Sequence, residues 1–381
     1  YEGIQEHLPE LSGAFSRGSD GTHYDAGGIL RTAGPNVLRL DHDPASGTAL
    51  GLRAEGARTN LVTRSQQLDV KTSVGISNTL ADVAIAPDGL MTADLIIAND
   101  VSSSNHFKSQ TIALDSNRQA ASVFFKAQDY PRALLRLGPA GINNAAEFRP
   151  DLGIADVTGP TISDPMMRQI PNNWWHLSAI RAEGEGNYVR GIQANPGNVG
   201  ESQVFAGDNV SGSLFYGWQI ENGDFPSSYI ATDATATTRL ADSLTFSSTG
   251  LSEGSVVIDA RTPVGTQGEQ VLWQWDEGTD DNRFRLVRLS DGHMHAVVTV
   301  GGDDVVDLDL GLVENSTDFK ATLSWETGRI AARLNNAAVI VDTSYSGALP
   351  GVSTIRVGSG AAGQEWFGTI ARSGIYKTAQ I

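Results

Sequence analysis

Residues 215–244 read FYGWQIENGDFPSSYIATDATATTRLADSL, and the rest of the chain divides around them. Leu214, Phe215, Tyr216, Trp218 and Ile220 form a short aromatic run of strand character. Asn222-Gly223-Asp224 and Pro226 interrupt it, Tyr229-Ile230 resumes briefly, and Ala, Thr, Asp and Arg then dominate up to Leu244. This pattern marks a β-domain that closes and a connector, residues 230–242, leading to a second one. Its length predicts two domains held at a fairly fixed angle. Alternation places Trp218 and Ile220 on one face and Gln219 and Glu221 on the other. Trp218 is therefore expected in a core, with Gln219 and Glu221 facing solvent or a ligand.

Upstream of this stretch, apolar residues recur with period two in short runs, among them residues 92–98, 106–113, 120–127, 133–137, 174–183 and 188–194. Spacing near ten residues, with Gly, Asn, Asp and Pro between runs, predicts an all-β sandwich over 69–240. Downstream, denser runs and the turns Asp291-Gly292, Gly301-Gly302 and Thr327-Gly328 predict a second sandwich over 241–381. Residues 1–68 carry turn signals at Asp20-Gly21, Gly27-Gly28, Gly34-Pro35 and Ser46-Gly47 but few periodic runs. They are expected to form an extended arm that packs on the first sandwich or mediates attachment. The fold class is all-β: arm, jelly-roll sandwich, second sandwich.

Composition narrows the function. The 381 residues are 40% apolar and 19% charged, which describes a globular protein rather than a disordered one. A net charge of −17 argues against nucleic acid or an anionic membrane as main partner. The absence of cysteine removes disulfides, thiolate nucleophiles and Cys-based zinc sites. No run of 18 apolar residues occurs, so no membrane-spanning helix is predicted.

Several ordered segments carry a resemblance. Phe15-Ser16-Arg17, Asn36-Val37-Leu38-Arg39-Leu40-Asp41 and Gly51-Leu52-Arg53-Ala54-Glu55-Gly56-Ala57-Arg58-Thr59-Asn60-Leu61 come first. Ala86-Pro87-Asp88-Gly89, Ser122-Val123-Phe124-Phe125-Lys126-Ala127 and Asn173-Trp174-Trp175 follow. Gly217 to Gly223, Ser228-Tyr229-Ile230, Thr238-Arg239 and Ala241-Asp242 close the set. Over residues 15–243 the chain resembles a family of tailed-phage and gene-transfer-agent virion proteins with a jelly roll of carbohydrate-binding-module type. Arg53 stands where that family has an apolar residue, and Ala231 where it has Pro. The second half resembles laminin-G and concanavalin-like sandwiches through Ala321-Thr322-Leu323-Ser324-Trp325, Gly328, Asn335 and Gly358, with Trp366 to Ile370. These resemblances imply a head spike or tail-fibre component on a virion surface. Its expected partners are host-cell polysaccharide and other virion proteins; a homo-oligomer fits this class, although no coiled-coil heptads or collagen repeats require one.

Sugars are held by aromatic faces framed by polar side chains. In the first sandwich the candidates are Trp174, Trp175, Arg136, Arg181, Arg190, Gln193, Gln219 and Glu221. Adjacent Trp174 and Trp175 point to opposite faces, so one is expected in the core and the other free for a groove. In the second sandwich Trp273 and Trp275 share a face, and Arg283 and Arg285 share one on the next strand, a combination suited to an acidic glycan. The competing reading for each is ordinary core packing beside solvated charge. Asp303, Asp304, Asp307 and Asp309 crowd one segment and Asp276, Glu277, Asp280 and Asp281 another. Structural calcium is the candidate cofactor, with Asp303, Asp304 and Asp307 as its ligands, although neither spacing matches a fixed calcium motif. His293 and His295 share a strand face, with no third metal ligand evident beside them and a simple hairpin as the plainer account.

Catalysis is not expected. The Glu-x-Asp-x-x-Glu strand of concanavalin-like glycosidases is absent. Phe124 to Tyr130 is similar to one strand of jelly-roll alginate lyases, but their Arg-x-Glu-Leu and Gln-Ile/Val-His strands are missing, and Gln169-Ile170-Pro171 lacks the His. The expected function is non-enzymatic adhesion to host polysaccharide. A polysaccharide depolymerase and a purely structural virion protein are the alternatives.

Overall fold

The computed structural model describes residues 12–102, 104–114, 118–138, 144–182, 186–248 and 251–381. Among them the secondary structure is strand throughout, apart from two single 3-10 turns at Leu68–Val70 and Pro150–Leu152. No helix among the described residues is long and apolar enough to cross a membrane. Two β-sandwiches account for the chain, as its period-two pattern predicts.

The first sandwich stacks two six-stranded sheets. One runs Ile154–Thr158, Ala145–Arg149, Arg132–Arg136, Gly186–Asn195, Phe107–Leu114, Thr72–Val74. The other runs Ile162–Ile170, Trp174–Arg181, Gln119–Lys126, Gly212–Asn222, Met91–Ala98, Ile76–Ile85. Alternate residues such as Val123, Phe125, Leu135, Phe148 and Leu177 fill the space between them. Phe215 and Trp218 both point into this core although they are three residues apart. Strict alternation forbids that, and a bulge allows it. Two residues, Gly217 and Trp218, lie opposite the single Val123, and Gly217 takes a φ of 61°.

The second sandwich has two seven-stranded sheets around a core that includes Trp273, Trp275, Trp325 and Trp366. The expected arm, residues 1–68, is not separate over its described part, residues 12–68. Ser12–Ser16 pairs with Ser243–Ser247 at the edge of one sheet, and Ala49–Ala54 pairs with Gly368–Tyr376 in the other. Leu40–His42 extends that second sheet by one more strand. Sheet edges present unpaired backbone donors and acceptors, and the N-terminal strands satisfy them. Leu52 and Ala54 are buried in the second core.

The hairpin Gly21–Tyr24 with Leu30–Ala33 goes elsewhere. It covers the outer face of the first sandwich, where Tyr24 and Leu30 pack with Phe124, Trp174, Tyr216 and Tyr229 as a separate core. The N-terminal segment thus contributes to both sandwiches. The connector is pinned as well, since Thr237–Arg239 pairs with Arg58–Asn60.

Candidate functional site

The outer face of the sheet containing Arg132–Arg136 and Gly186–Asn195 brings Arg132, Arg136 and Gln193 together. Ala133, Leu135 and Leu137 turn inward, so Arg132, Leu134 and Arg136 turn outward. Gln193 stands opposite both Phe107 and Leu134, and Gly191 opposite both Ser109 and Arg136. One half of the face is closed. Residues 196–205 fold back over it, and the buried Glu147 accepts from Arg132 Nη2 at 3.0 Å, Gln203 Nε2 at 2.8 Å and the Gly200 N–H at 2.9 Å.

The other half is partly accessible, with Asn105, Phe107 and Arg136 half-buried and Gln193 fully buried. Arg136 Nη1 donates to Gln193 Oε1 at 3.0 Å, Gln203 Oε1 at 2.8 Å and Asn105 Oδ1 at 3.3 Å. Its guanidinium lies 4.8 Å from the centre of the Phe107 ring. A Cβ at Gly191 would stand 3.0 Å from the Phe107 ring, so glycine leaves space between that ring and Arg136. Among the described residues no carboxylate lies within ion-pair distance of Arg136. Burial pulls its pKa down, and only the more distant Glu147 charge opposes this. Arg136 is thus a half-buried cation fixed by neutral amide oxygens, with its remaining N–H groups able to meet an anion.

The other candidates fall elsewhere. Gln193 joins this face, its Nε2 donating to Gln203 O at 2.8 Å. Arg190 shares the inward parity of Ile192 and is buried, with Nη1 on the Leu137 carbonyl and Nη2 3.4 Å from Gln119 Oε1. Arg181 is likewise buried. Trp174 and Trp175 do point to opposite faces, yet neither forms a groove. Trp174 is 1% exposed beneath the N-terminal hairpin, and Trp175 packs against the inner core. Gln219 and Glu221 point away from Trp218 as expected but are fully buried rather than solvent-facing. The face they occupy is covered by the chain's own residues 227–230. Gln219 Oε1 accepts from the Ile230 N–H at 2.7 Å, and Glu221 accepts from the Ser227 N–H and hydroxyl, each at 2.6 Å.

In the second sandwich Trp273 and Trp275 point inward at 0% exposure, and Arg283 and Arg285 point outward beside Gln274 and Asp276. Tryptophans and arginines therefore occupy opposite faces of the sheet and do not combine into one surface. The arginines are also neutralised. Arg285 pairs with Glu269 at 2.9 Å, Arg283 with Asp280, and Arg356 with Asp276 at 2.8 Å. The calcium candidates have separate partners: Asp304 accepts from the Thr299 hydroxyl, Asp307 faces His295, and Asp303 is exposed.

A cavity of about 140 Å³ lies where the N-terminal hairpin meets the first sandwich, lined by His23, Tyr24, Arg53, Arg168, His176 and Tyr229. It is smaller than the roughly 300 Å³ at which small-molecule sites begin. Burial, aided by the Arg168 charge, holds His176 at a pKa of about 4. The charged residues of the ordered segments gather nearby as a buried ionic cluster. Arg39 contacts both Glu55, at 2.6 Å, and Asp242, and Arg239 lies 3.1 Å from Glu55. Arg53 pairs with the buried Asp41. Sequence reasoning could not foresee this cluster, because its members come together only when the N-terminal strands pack against the connector.

No family model matches the chain, and no curated protein matches it. Among solved structures, the CBM40 of the Ruminococcus gnavus IT-sialidase aligns at 18% identity and a TM-score of 0.31, over 35% of this chain and 79% of that one. The LG1-3 region of the laminin alpha2 chain aligns at 14% identity and 0.28, over 71% and 64%. Domains LG4-5 of the mouse laminin alpha1 chain align at 12% identity and 0.27, over 79% and 95%. The fold itself is established by the strand pairing above.

Proposed function

We propose that this chain is a non-enzymatic carbohydrate-binding protein of a virion surface, a head spike or tail-fibre component that adheres to acidic host-cell polysaccharide. The observation that carries the ligand class is Arg136: a guanidinium set over the Phe107 ring on a sheet face and held by neutral amides rather than a carboxylate. A uronate or sialate carboxylate can take paired N–H bonds from that guanidinium while the sugar ring rests on Phe107 and its exposed cross-strand neighbour Val74. Virion placement rests on the resemblance over residues 15–243. The ion-paired arginines of the second sandwich favour the first as the binding face.

Titration of the full chain with acidic and neutral oligosaccharides of matched length tests the reading. Acidic chains should bind, Arg136→Ala should weaken them at least tenfold, and Arg285→Ala should leave them unchanged. Equal binding by Arg136→Ala, or no binding of any acidic glycan, would refute it. Host-cell adsorption with and without the protein then separates adhesion from a purely architectural role.

A further inference from the structure

Strands His293–Val300 and Asp303–Leu312 place His-x-His beside Asp-x-Asp on one outward face. The ladder slips there. His295 stands opposite Asp309 and Met294 opposite Gly311, leaving Leu310 as an extra residue. Bulges re-aim side chains, and this one turns Asp309 toward both histidines. Gly311, at a φ of 100°, fixes the carboxylate by donating its N–H to Asp309 Oδ1 at 2.8 Å. His293 Nδ1 lies 2.9 Å from Asp309 Oδ1, and His295 Nε2 lies 3.9 Å from the same oxygen.

We propose that His293, His295 and Asp309 form a binding site for a divalent transition metal, with Asp307 as the group that orients His295. The ligand atoms of the three residues all lie within 4.8 Å of one another. Two atoms bound to one metal at about 2.1 Å with angles of 90–109° stand roughly 3.0–3.4 Å apart. The His293–Asp309 spacing already approaches this. The His295–Asp309 spacing needs a closure of less than about 1 Å, which the half-exposed Asp309 side chain can supply.

Asp307 is the independent sign of a built site. Its Oδ1 lies 2.7 Å from His295 Nδ1, so that nitrogen carries the proton and Nε2 presents its lone pair toward Asp309. A carboxylate behind the imidazole is the usual outer partner of a metal-binding histidine. Two imidazoles and a carboxylate suit zinc, copper or nickel better than calcium or magnesium. Three protein ligands also leave a coordination position open to water or to a group on another molecule. The site lies on the second sandwich and is independent of the reading given to Arg136.

Titration of the full chain with Zn²⁺ near neutral pH should show one saturable equivalent, and Co²⁺ in its place should give the visible absorption of a site with nitrogen and oxygen ligands. His295→Ala and Asp309→Asn should each weaken Zn²⁺ binding at least tenfold. Asp307→Asn, which touches no metal, should weaken it by roughly 10–100-fold. Circular dichroism of the variants checks their folding, and Asp309→Asn preserves side-chain shape should His295→Ala fail. Absence of a saturable equivalent, or affinity unchanged in folded His295→Ala and Asp309→Asn, would overturn the proposal.

Discussion

The Arg17 guanidinium lies 3.0 Å from the Asp242 carboxylate, both shielded from solvent and 225 residues apart in the chain. Asp242 also receives Arg39 and the Glu55 N–H, so one carboxylate joins the N-terminal strands to the connector. Replacing it with Asn leaves Arg17 buried without its counter-charge and Arg39 with Glu55 alone. Breaking a buried pair from one side costs about 3–5 kcal/mol. Asp242→Asn is expected to lower unfolding free energy by that amount in urea titrations followed by tryptophan fluorescence. Because the N-terminal strands belong to both sandwiches, wild type should unfold in a single transition.

Gly51 supplies a second test of that interleaving. Its φ is 100°, and a Cβ there would stand 2.2 Å from the Ile370 carbonyl oxygen on the neighbouring strand. Gly51→Ala must therefore adopt a strained backbone and push its strand away from Gly368–Tyr376. A loss of about 2–4 kcal/mol is expected from strain and overpacking together. The same substitution at Gly153, which also has positive φ but open space around it, should cost only the smaller conformational part.

Two buried groups give stability opposite pH slopes in one window. Burial raises Asp94 from 3.8 to about 6, so the folded state holds the proton more tightly and stability falls as pH rises between those values. Burial lowers His176 from 6.5 to about 4, so the unfolded state takes up the proton first and stability rises with pH over nearly the same range. Their contributions largely cancel in wild type. Asp94→Asn should expose a rising slope between about pH 4 and 6 and His176→Gln a falling one, both readable from thermal midpoints across that range. Like slopes in the two variants would contradict the assignment.

What the sequence made legible was periodicity, and what it hid was docking. Period-two runs around Trp218, Phe125 and Trp273 are local facts, so strand character and the inward-facing Trp218 could be read directly. For Trp273 and Trp275, parity put both on one face without showing that this face is the core. Parity also separated Gln219 and Glu221 from Trp218 correctly. It could not say that residues 227–230 would cover that second face, because alternation specifies two faces and not what lies against each. Ser12–Ser16 and Ala49–Ala54 carry too few apolar residues to reveal a partner, yet they complete edges of strands more than 200 residues away. Asp309 was visible as one of a run of acids, but its place beside His295 depends on a bulge, and bulges leave little trace in composition.

Arg136 carries the clearest functional prediction. Its three acceptors are neutral, so the cation is positioned without being neutralised, and a bound carboxylate would complete a charge-assisted pair in a partly desolvated setting. Arg136→Lys keeps the charge but loses the planar fork and its fit over the Phe107 ring. It should retain some binding of an acidic oligosaccharide, whereas Arg136→Ala should lose at least tenfold. Phe107→Ala removes the platform and should weaken acidic and neutral sugars alike, by about 1–2 kcal/mol. Added salt should weaken wild type more than Arg136→Ala, because only wild type presents the charge on this face. Equal salt dependence in the two proteins would show that Arg136 acts through packing and that the anion is recognised elsewhere.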